Sequence, residues 1–361
     1  MWRFPRIRTL RGMNPIMNAV VSTAHGTVEV LKVLQRPAPL PKNGEVRIRV
    51  AAAGLNPSEV NARQGMYPDA PPPPMVVGYE VAGVVEALGA GVDAFAVGDR
   101  VWALCRFGGH AEVVCTPAAW VRPLPASMTF EQGAAIPVAY ATAVILVHDL
   151  GRIREGDVVL VHMVSGSVGL AVLQLCLRIP NVTVIGLASP SKHEGLKALG
   201  LHHALDSRAA DFEAQVRKLT DGRGVDVALD PLGGKNWKKN YRLLAALGRL
   251  IVYGFSAATG PGKRSLAKAA WQLAHTPIFI PLSLMEANKA VMGLNMGRLF
   301  DQPALISRGL DTLSRLASEG GLAPLVDSVF PFSRAADAHL RLESRTNLGK
   351  VVLVPDVQGM A

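Results

Sequence analysis

The sequence predicts an α/β protein in which a doubly wound parallel sheet follows a β-rich unit. The clearest indication is a β-branched run at 158–161, which precedes a small-residue turn and an apolar helical segment at 168–177. Strand-like and helix-like segments then alternate, as they do in parallel sheets. Residues 17 to about 135 instead combine short β-type runs with many glycines and prolines. With 361 residues, the chain is long enough for two domains.

The turn after the first strand of the parallel sheet is predicted to bind an anion. It consists of Ser165, Gly166, Ser167, Val168 and Gly169. A strand, a glycine turn and a helix N-terminus together present unpaired backbone N–H groups to a pyrophosphate. In a G-x-G-x-x-G pattern Val164 replaces the first glycine, and we expect its bulk to weaken the turn as a dinucleotide site.

The other elements of this sheet follow in order along the chain. Strands are predicted at 183–187, 225–229 and 249–253, and helices at 191–199 and 238–247. Ligands bind at the carboxyl ends of parallel strands. Leu232, Tyr253 and Phe255 lie at or just after two of these strand ends, which makes them candidates for contact with a cofactor. The alternative for Tyr253 and Phe255 is packing within the sheet.

The end of the second strand favours NADP(H) over NAD. An NAD site usually carries Asp or Glu about 20 residues after the glycine turn. Here Ser189 and Lys192 occupy that segment, and no acid occurs before Glu194. A serine and a lysine would bind a 2′-phosphate, whereas a carboxylate would repel it. The alternative is an ordinary helix start with a Ser-Pro cap.

The β-rich unit has a different pattern from the rest of the chain. Residues 46–50 alternate between apolar and polar side chains, as in a half-buried strand. Residues 78–104 are predicted to form a strand, a turn and a second strand, with glycines and Asp99 at the turn.

Composition narrows the classes of protein that the chain can represent. With 49% hydrophobic and 18% charged residues it is not a disordered chain. The formal charge of +10 does not indicate nucleic-acid binding, because only 6% of residues are aromatic and no basic helix carries them. Cys105, Cys115 and Cys176 are scattered in apolar surroundings, so we expect buried free thiols and a cytoplasmic protein.

Three further segments bear on localisation. The apolar run 134–147 is too short to span a membrane. The N-terminal extension 1–16 has four arginines and no signal-peptide core, and we expect it to be disordered. In 260–285 basic residues precede an apolar, Trp-containing stretch. That segment is expected to cover a sheet edge or a subunit contact, with contact to a membrane surface as the alternative.

Several ordered motifs resemble the medium-chain dehydrogenase/reductase superfamily. They are AAAGLNPSE at 51–59, GYEVAGVV at 78–85, VGDRV at 97–101, LDPLGG at 229–234 and NLGKVVLV at 347–354, in addition to the glycine turn. The chain is most similar to the zinc-free quinone oxidoreductase group, and within it to the vesicle amine transport protein-like branch. RQGMY at 63–67, MTFEQGAAIPV at 128–138, SKHE at 191–194 and VDSVFPF at 326–332 match that branch.

This resemblance implies a domain organisation, a cofactor and an assembly. It implies a GroES-like catalytic domain formed by 17–138 and 325–361, and a Rossmann NADP-binding domain at 139–324. It also implies NADPH and a homodimer joined through the Rossmann sheets.

The resemblance also identifies the positions at which a zinc ligand would be expected. Zinc-dependent relatives have a Cys after the early glycine and a His within G-H-E. This chain has Asn56 and Tyr79 at those positions, and neither is a plausible zinc ligand. His202 and His203 are adjacent on a predicted strand and would point to opposite faces. We therefore expect no metal.

The resemblance places Asn56 and Tyr67 near the nicotinamide and three further residues near the cofactor or the active cleft, and most of them have a structural alternative. Asn56 and Tyr67 could donate a hydrogen bond to a developing enolate, or they could be a turn residue and a cleft-lining aromatic. Thr142 matches a threonine near the cofactor, or it bonds its own helix backbone. Asn347 and Lys350 match the C-terminal segment near the cleft, where Lys350 could instead cap the final strand. A proton-donating role for His110 is a weaker possibility, and His162 is expected to be a buried strand residue.

The function predicted is NADPH-dependent, zinc-independent reduction of quinones or α,β-unsaturated carbonyl compounds. Hydride would reach an electrophilic carbon, Asn56 or Tyr67 would hold the oxyanion, and solvent or Tyr67 would supply the proton. The alternative is a nucleotide-binding, non-redox scaffold or membrane-associated factor.

Overall fold

The computed structural model describes residues 15–256 and 266–356. The N-terminal extension predicted at 1–16 lies outside this range except at its end, where the first strand begins at Ile16. Part of the 260–285 segment also lies outside it.

Sixteen strands lie within the described residues. They are β1 (Ile16–Ser22), β2 (Leu31–Pro37), β3 (Glu45–Leu55), β4 (Met75–Val76), β5 (Glu80–Leu88), β6 (Arg100–Leu104), β7 (Val113–Pro117), β8 (Val121–Pro123), β9 (Val158–His162), β10 (Thr183–Ala188), β11 (His203–Asp206), β12 (Val225–Asp230), β13 (Leu244–Val252), β14 (Ala290–Gly293), β15 (Val326–Pro331) and β16 (Lys350–Val354).

The same part of the chain forms eleven α-helices. They are α1 (Pro57–Arg63), α2 (Phe130–Ala134), α3 (Pro137–Val144), α4 (Ser167–Cys176), α5 (His193–Ala198), α6 (Phe212–Leu219), α7 (Lys235–Leu243), α8 (Leu266–Ala274), α9 (Pro281–Ala287), α10 (Pro303–Ser318) and α11 (Ala335–Glu343).

The predicted doubly wound sheet is present. Six parallel strands lie in the order β11-β10-β9-β12-β13-β14. Strand β9 lies inside this sheet, and four of its five residues are buried. Its β-branched side chains suit a strand covered on both faces. The glycine turn and α4 follow β9 directly, so the turn lies at the carboxyl edge of the sheet.

The predicted boundaries of the helix at 238–247 and of the strand at 249–253 are wrong, because the helix begins at Lys235 and the strand at Leu244. The helix expected at 238–247 ends at Leu243, and Leu244 begins β13. Leu244 is buried and pairs with Val225 of β12. Leu247 has a φ of 62°, which ends any helical path, and its N–H donates to the Asn288 carbonyl at 2.7 Å. Tertiary pairing therefore overrides the helical pattern of the sequence.

The β-rich unit contains a seven-stranded sheet built from β3 and β5 to β8 together with the last two strands of the chain, β15 and β16. Its order is β15-β16-β3-β5-β6-β8, and β7 also pairs with β3. The predicted strands at 46–50 and 78–104 are confirmed as parts of β3, β5 and β6. Strand β16 pairs antiparallel with β3, which places Val351 opposite Leu55. The C-terminal segment therefore returns to the unit that begins the chain.

The largest hydrophobic cluster joins the two units. It contains Trp102 and Ile136 from the β-rich side together with Val161 and Leu173 from the parallel-sheet side. Helix α3 lies between β8 and β9 in the sequence. It packs against α4 and contributes to this cluster. None of the helices in the described residues has the length and apolarity that crossing a membrane requires.

Candidate active site

The predicted anion-binding turn has the geometry expected of a dinucleotide site. Gly166 is the N-cap of α4 and offers no side chain to the first-turn N–H groups. A Cβ on Gly169 would lie 2.5 Å from the Val164 Cα, so only glycine permits the close approach of helix and strand. The Gly349 N–H donates to the Ser165 carbonyl at 3.0 Å, which connects the turn to the C-terminal segment.

The Val164 side chain packs toward the neighbouring strand, and its expected effect on the turn as a dinucleotide site stays a prediction. Its side chain is fully buried, and its Cγ1 would be 2.6 Å from a Cβ built on Gly186 of β10. Gly186 therefore makes room for the valine between strand and helix. The substitution of the first glycine is compensated by packing on the neighbouring strand.

Lys192 lies beside the turn, and its ammonium group already donates hydrogen bonds to three oxygens of the protein. Its Nζ donates to the Ser165 Oγ at 3.1 Å, the Arg345 carbonyl at 2.9 Å and the Asn347 carbonyl at 2.6 Å. Partial burial lowers its pKa. The half-buried Ser189 lies 3.5 Å from Ser191, oxygen to oxygen. The two predicted phosphate ligands thus lie at the carboxyl end of β10, and their contact with a 2′-phosphate stays a prediction.

The other predicted cofactor residues lie along the same edge of the sheet. The Leu232 N–H donates to the Asp230 carboxylate at 2.5 Å, and the Tyr253 N–H donates to the Asp230 carbonyl at 3.1 Å. The Phe255 ring lies against Gly233 and 5.8 Å from the Trp237 ring. Leu232, Tyr253 and Phe255 are partly exposed, so they can line a ligand.

Two histidines at the site have structural partners. His162 lies 2.8 Å from the Asn240 Oδ1, and Asn240 donates to the Asp230 carboxylate at 2.6 Å. This buried chain fits the expectation of a strand histidine. His110 lies 3.0 Å from the Gly54 carbonyl, and burial lowers its pKa to about 4. A neutral, fully buried imidazole at physiological pH is poorly suited to donate a proton to substrate.

Asn56 is predicted to act on the substrate, and its side-chain amide already has three partners. Its Nδ2 donates to Glu59 at 3.2 Å and to Glu80 at 2.8 Å, while its Oδ1 accepts from the Lys350 Nζ at 2.6 Å. All four side chains are buried. Both amide hydrogens are therefore used within the protein, although a direct role in catalysis stays a prediction.

Glu59 and Glu80 are buried residues of this candidate site that our sequence analysis did not single out. Glu80 pairs with Lys350 and also accepts from the Val138 N–H at 2.7 Å, at the start of α3. Glu59 accepts from the Asn56 N–H at 3.1 Å, and burial raises its pKa to about 7. The Asn-x-x-Glu spacing is a capping-box signal that could have identified Glu59. Only the resemblance's G-Y-E motif marks the position of Glu80.

Tyr67 is the more accessible of the two predicted catalytic residues. It is half-buried, and its ring meets the Tyr79 ring edge-on with centroids 6.0 Å apart. A Cβ on Gly297 would lie 2.2 Å from the Tyr67 hydroxyl, so this glycine leaves the space that the hydroxyl needs. Burial raises the pKa of Tyr67, which keeps the phenol protonated as a hydrogen-bond donor.

The side chains of Thr142 and Asn347 each donate a hydrogen bond to a backbone carbonyl close to them in the sequence. The Thr142 hydroxyl donates to the Val138 carbonyl at 2.7 Å, one turn earlier in α3. The Asn347 Nδ2 donates to the Gly349 carbonyl at 2.8 Å. Contact of either side chain with a cofactor stays a prediction.

The residues at the family's zinc positions do not fit zinc. Asn56 offers a neutral amide oxygen that already accepts from the Lys350 ammonium. Burial raises the pKa of Tyr79 far above its usual value, so its phenol stays neutral. Across 15–256 and 266–356, no cluster of three or more His, Cys, Asp or Glu could hold a metal ion. Thiolate, imidazole and carboxylate ligands are what zinc requires.

Family models match both units of the chain. An alcohol dehydrogenase GroES-like domain matches 42–126, and a zinc-binding dehydrogenase domain matches 199–353. The rat synaptic vesicle membrane protein VAT-1 homolog is 42% identical over 344 residues, which are 94% of this chain and 85% of that protein. Rat quinone oxidoreductase is 32% identical over 94% of this chain and 98% of its own length.

Solved structures agree with these matches. The human VAT-1 homolog-like protein has a TM-score of 0.83 at 35% identity, and the match covers 96% of this chain and 99% of that chain. The CurK enoyl reductase has a TM-score of 0.82 at 27% identity, with 94% and 99% covered. A mycobacterial protein complexed with NADPH has a TM-score of 0.81 at 30% identity, with 94% and 100% covered.

The chain belongs to the medium-chain dehydrogenase/reductase superfamily and, within it, to the VAT-1-like branch. Its fold, a GroES-like unit with a Rossmann-type sheet, binds pyridine nucleotides, and the family is one of oxidoreductases. The resemblance and the fold class inferred from the sequence are thereby confirmed.

Proposed function

We propose that this chain is a zinc-independent, NADPH-dependent reductase of quinones or α,β-unsaturated carbonyl compounds. One observation carries the proposal. The Gly349 N–H donates a hydrogen bond to Ser165 in the glycine turn. The next residue, Lys350, donates a hydrogen bond to Asn56 in the predicted catalytic region. Two consecutive residues therefore hold the predicted cofactor turn next to the predicted catalytic region, which supports a site where a hydride passes between two bound partners.

The cofactor assignment has support from the residues at the turn. The uncapped start of α4 suits a pyrophosphate, and Lys192 with Ser189 would hold the 2′-phosphate. NADPH, when bound, supplies the hydride. The chain's own task is then to orient the acceptor and to stabilise the oxyanion that forms on it.

Tyr67 is the best candidate for the oxyanion donor. Its hydroxyl is protonated and half-buried, whereas both Asn56 amide hydrogens bond carboxylates. In this proposal Tyr67 donates to the developing enolate, and Asn56 acts through the residues that it positions. The homodimer and the cytoplasmic location that we predict belong to the same proposal.

The direct test is turnover of NADPH with a panel of quinones, enones and enoyl thioesters. We expect oxidation of NADPH with members of this panel and a slower reaction with NADH. Failure of every acceptor, in a protein that still binds NADPH, would refute the proposal.

A variant of the donor sharpens this test. Tyr67→Phe should lower kcat by about 10²-fold, because one oxyanion donor is lost, while NADPH affinity stays unchanged. Tyr241→Phe is the matched control, since the buried Tyr241 hydroxyl has no hydrogen-bond partner among the residues that the structure describes, and its ring packs on Phe279 in the other unit. Equal activities of the two variants would remove Tyr67 from the mechanism.

A second candidate function is a membrane-associated, non-redox factor. It rests on large apolar side chains of the 271–285 segment that are exposed, among them Ile278, Leu282 and Met285. Sedimentation with anionic liposomes tests it, and binding without any reductase activity would favour it over the reductase.

A further inference from the structure

A lysine from the end of the chain contacts Asn56, which stands at one of the two positions that hold zinc ligands in zinc-dependent relatives. Lys350 opens β16, and its Nζ donates to the Asn56 Oδ1 at 2.6 Å from 294 residues away in the sequence. The same ammonium pairs with the Glu80 carboxylate. Asn56 and Tyr79 stand at the two ligand positions, and Glu80 directly follows the second of them.

Because the Glu80 carboxylate is buried, it requires a neighbouring cation. The side chain of Lys350 is 1% exposed and that of Glu80 is 0% exposed. An isolated buried charge is very costly, so each of the two ions requires the other. The backbone has adapted to the pair, since a Cβ on Gly54 would lie 2.4 Å from the Glu80 Oε1. A divalent ion at Asn56 would stand against an ammonium in a low-dielectric interior.

The ion pair also joins elements that the reaction needs. Glu80 accepts from the Val138 N–H and so caps α3, which packs against α4 behind the glycine turn. Asn56 is the N-cap of α1. Gly349, the residue before Lys350, donates a backbone hydrogen bond to the glycine turn. One ammonium thus fixes the relative positions of α1, α3 and the C-terminal strand.

We infer that the Lys350 ammonium is an internal cation that neutralises the buried Glu80 and positions Asn56 and α3, in a site whose residues do not fit a metal ion. Lys350 is a positioning residue here, because it is too deeply buried to meet substrate. The inference deepens the proposed function of the same site and rests on it for the kinetic readout only. Its stability and metal readouts are independent of activity.

The test uses the full chain and a double-mutant cycle. The variants are Lys350→Met, Glu80→Gln and the combination of both. Lys289→Met is the matched control, because its Nζ is a partly buried donor to the Tyr241 carbonyl in the parallel-sheet unit. Melting temperature, kcat, NADPH affinity and zinc content after incubation with zinc and dialysis are measured for each protein.

We expect Lys350→Met to melt well below the wild type, because it leaves a buried carboxylate unpaired. The double variant should melt above Lys350→Met, since its neutral amide removes that charge. We expect kcat of Lys350→Met to fall about a hundredfold through misplacement of the site, while NADPH affinity changes much less. The wild type should retain no more zinc than a protein without a metal site.

Three results would overturn the inference: stoichiometric zinc in the wild type, additive effects of the two substitutions, or unchanged kcat in a folded Lys350→Met. If Lys350→Met does not fold, a folded double variant supports the inference and an unfolded one opposes it. If the wild type reduces no acceptor, the proposed function fails, while zinc content and coupling still decide the role of Lys350.

Discussion

Lys192 is the residue on which the choice of cofactor depends. Its three contacts tie the glycine turn to the carbonyls of Arg345 and Asn347, a role in the fold that the sequence did not suggest. An ammonium has only three donors, so a bound 2′-phosphate would have to take the place of at least one of these oxygens.

Lys192→Ala should weaken NADPH binding by about 1.5–3 kcal/mol through the loss of a charge-assisted contact, and NADH binding by clearly less. Titration of both cofactors measures this difference. Lys197→Ala, at an exposed position on α5, which begins directly after Lys192, is the control. Equal losses for the two cofactors would mean that Lys192 only supports the turn.

Glu59 makes the stability of the protein depend on pH. Burial raises its pKa from 4.5 to about 7, against the opposing effect of Lys350 and with the support of the nearby Glu80. Between these values the folded protein keeps a proton that the unfolded chain releases. The contribution to stability is therefore complete below about pH 4.5 and is lost as the pH rises through 7.

Glu59→Gln should remove this dependence. The wild type is expected to lose on the order of 3 kcal/mol in its free energy of unfolding from Glu59 between pH 4.5 and 8, and the variant is not. Denaturant unfolding across that range measures the slope. Glu194→Gln, at an exposed position, should follow the wild type. Identical slopes in Glu59→Gln and the wild type would contradict the assignment.

At the level of elements, the unit of β9, the glycine turn and α4 is the most predictable part of the protein. Its strand and helix were predicted to within one residue, because local residue types determine them. The environment of Val164 could not be predicted in this way, since it depends on Gly186 in the neighbouring strand.

Val164→Ala should leave a cavity between strand and helix and lower the free energy of unfolding by about 2 kcal/mol. Neither cofactor should bind more tightly, because the valine does not point into the turn. Thermal unfolding and cofactor titration check this, with the exposed Val97→Ala as control. Tighter binding of both cofactors would show that Val164 does obstruct the site.

For the whole molecule, we expect the predicted homodimer to form at the edge of the parallel sheet. Strand β14 is the edge strand of that sheet, and the apolar side chains of Ile278, Ile280, Leu282 and Met285 are exposed in the segment preceding it. Large exposed apolar patches usually mark an interaction surface.

Ile278→Ser combined with Leu282→Ser should shift the protein from dimer to monomer, as measured by sedimentation. Val97→Ser removes an apolar group as exposed as Leu282 from the β-rich unit and should leave the assembly unchanged. A wild type that is monomeric but binds anionic liposomes through Ile278 and Leu282 would instead favour the membrane-associated alternative.

The sequence by itself determined the alternation of strands and helices, the glycine turn and the family to which the chain belongs. These features depend on residues close together in the chain, or on motifs whose order is visible in it. The end of α7 at Leu243 was not predictable, because pairing of Leu244 with Val225 decides it. Only the tertiary structure brought Lys350 to Asn56 and Glu80. That contact joins strands hundreds of residues apart, and local periodicity contains no information about which buried charges meet.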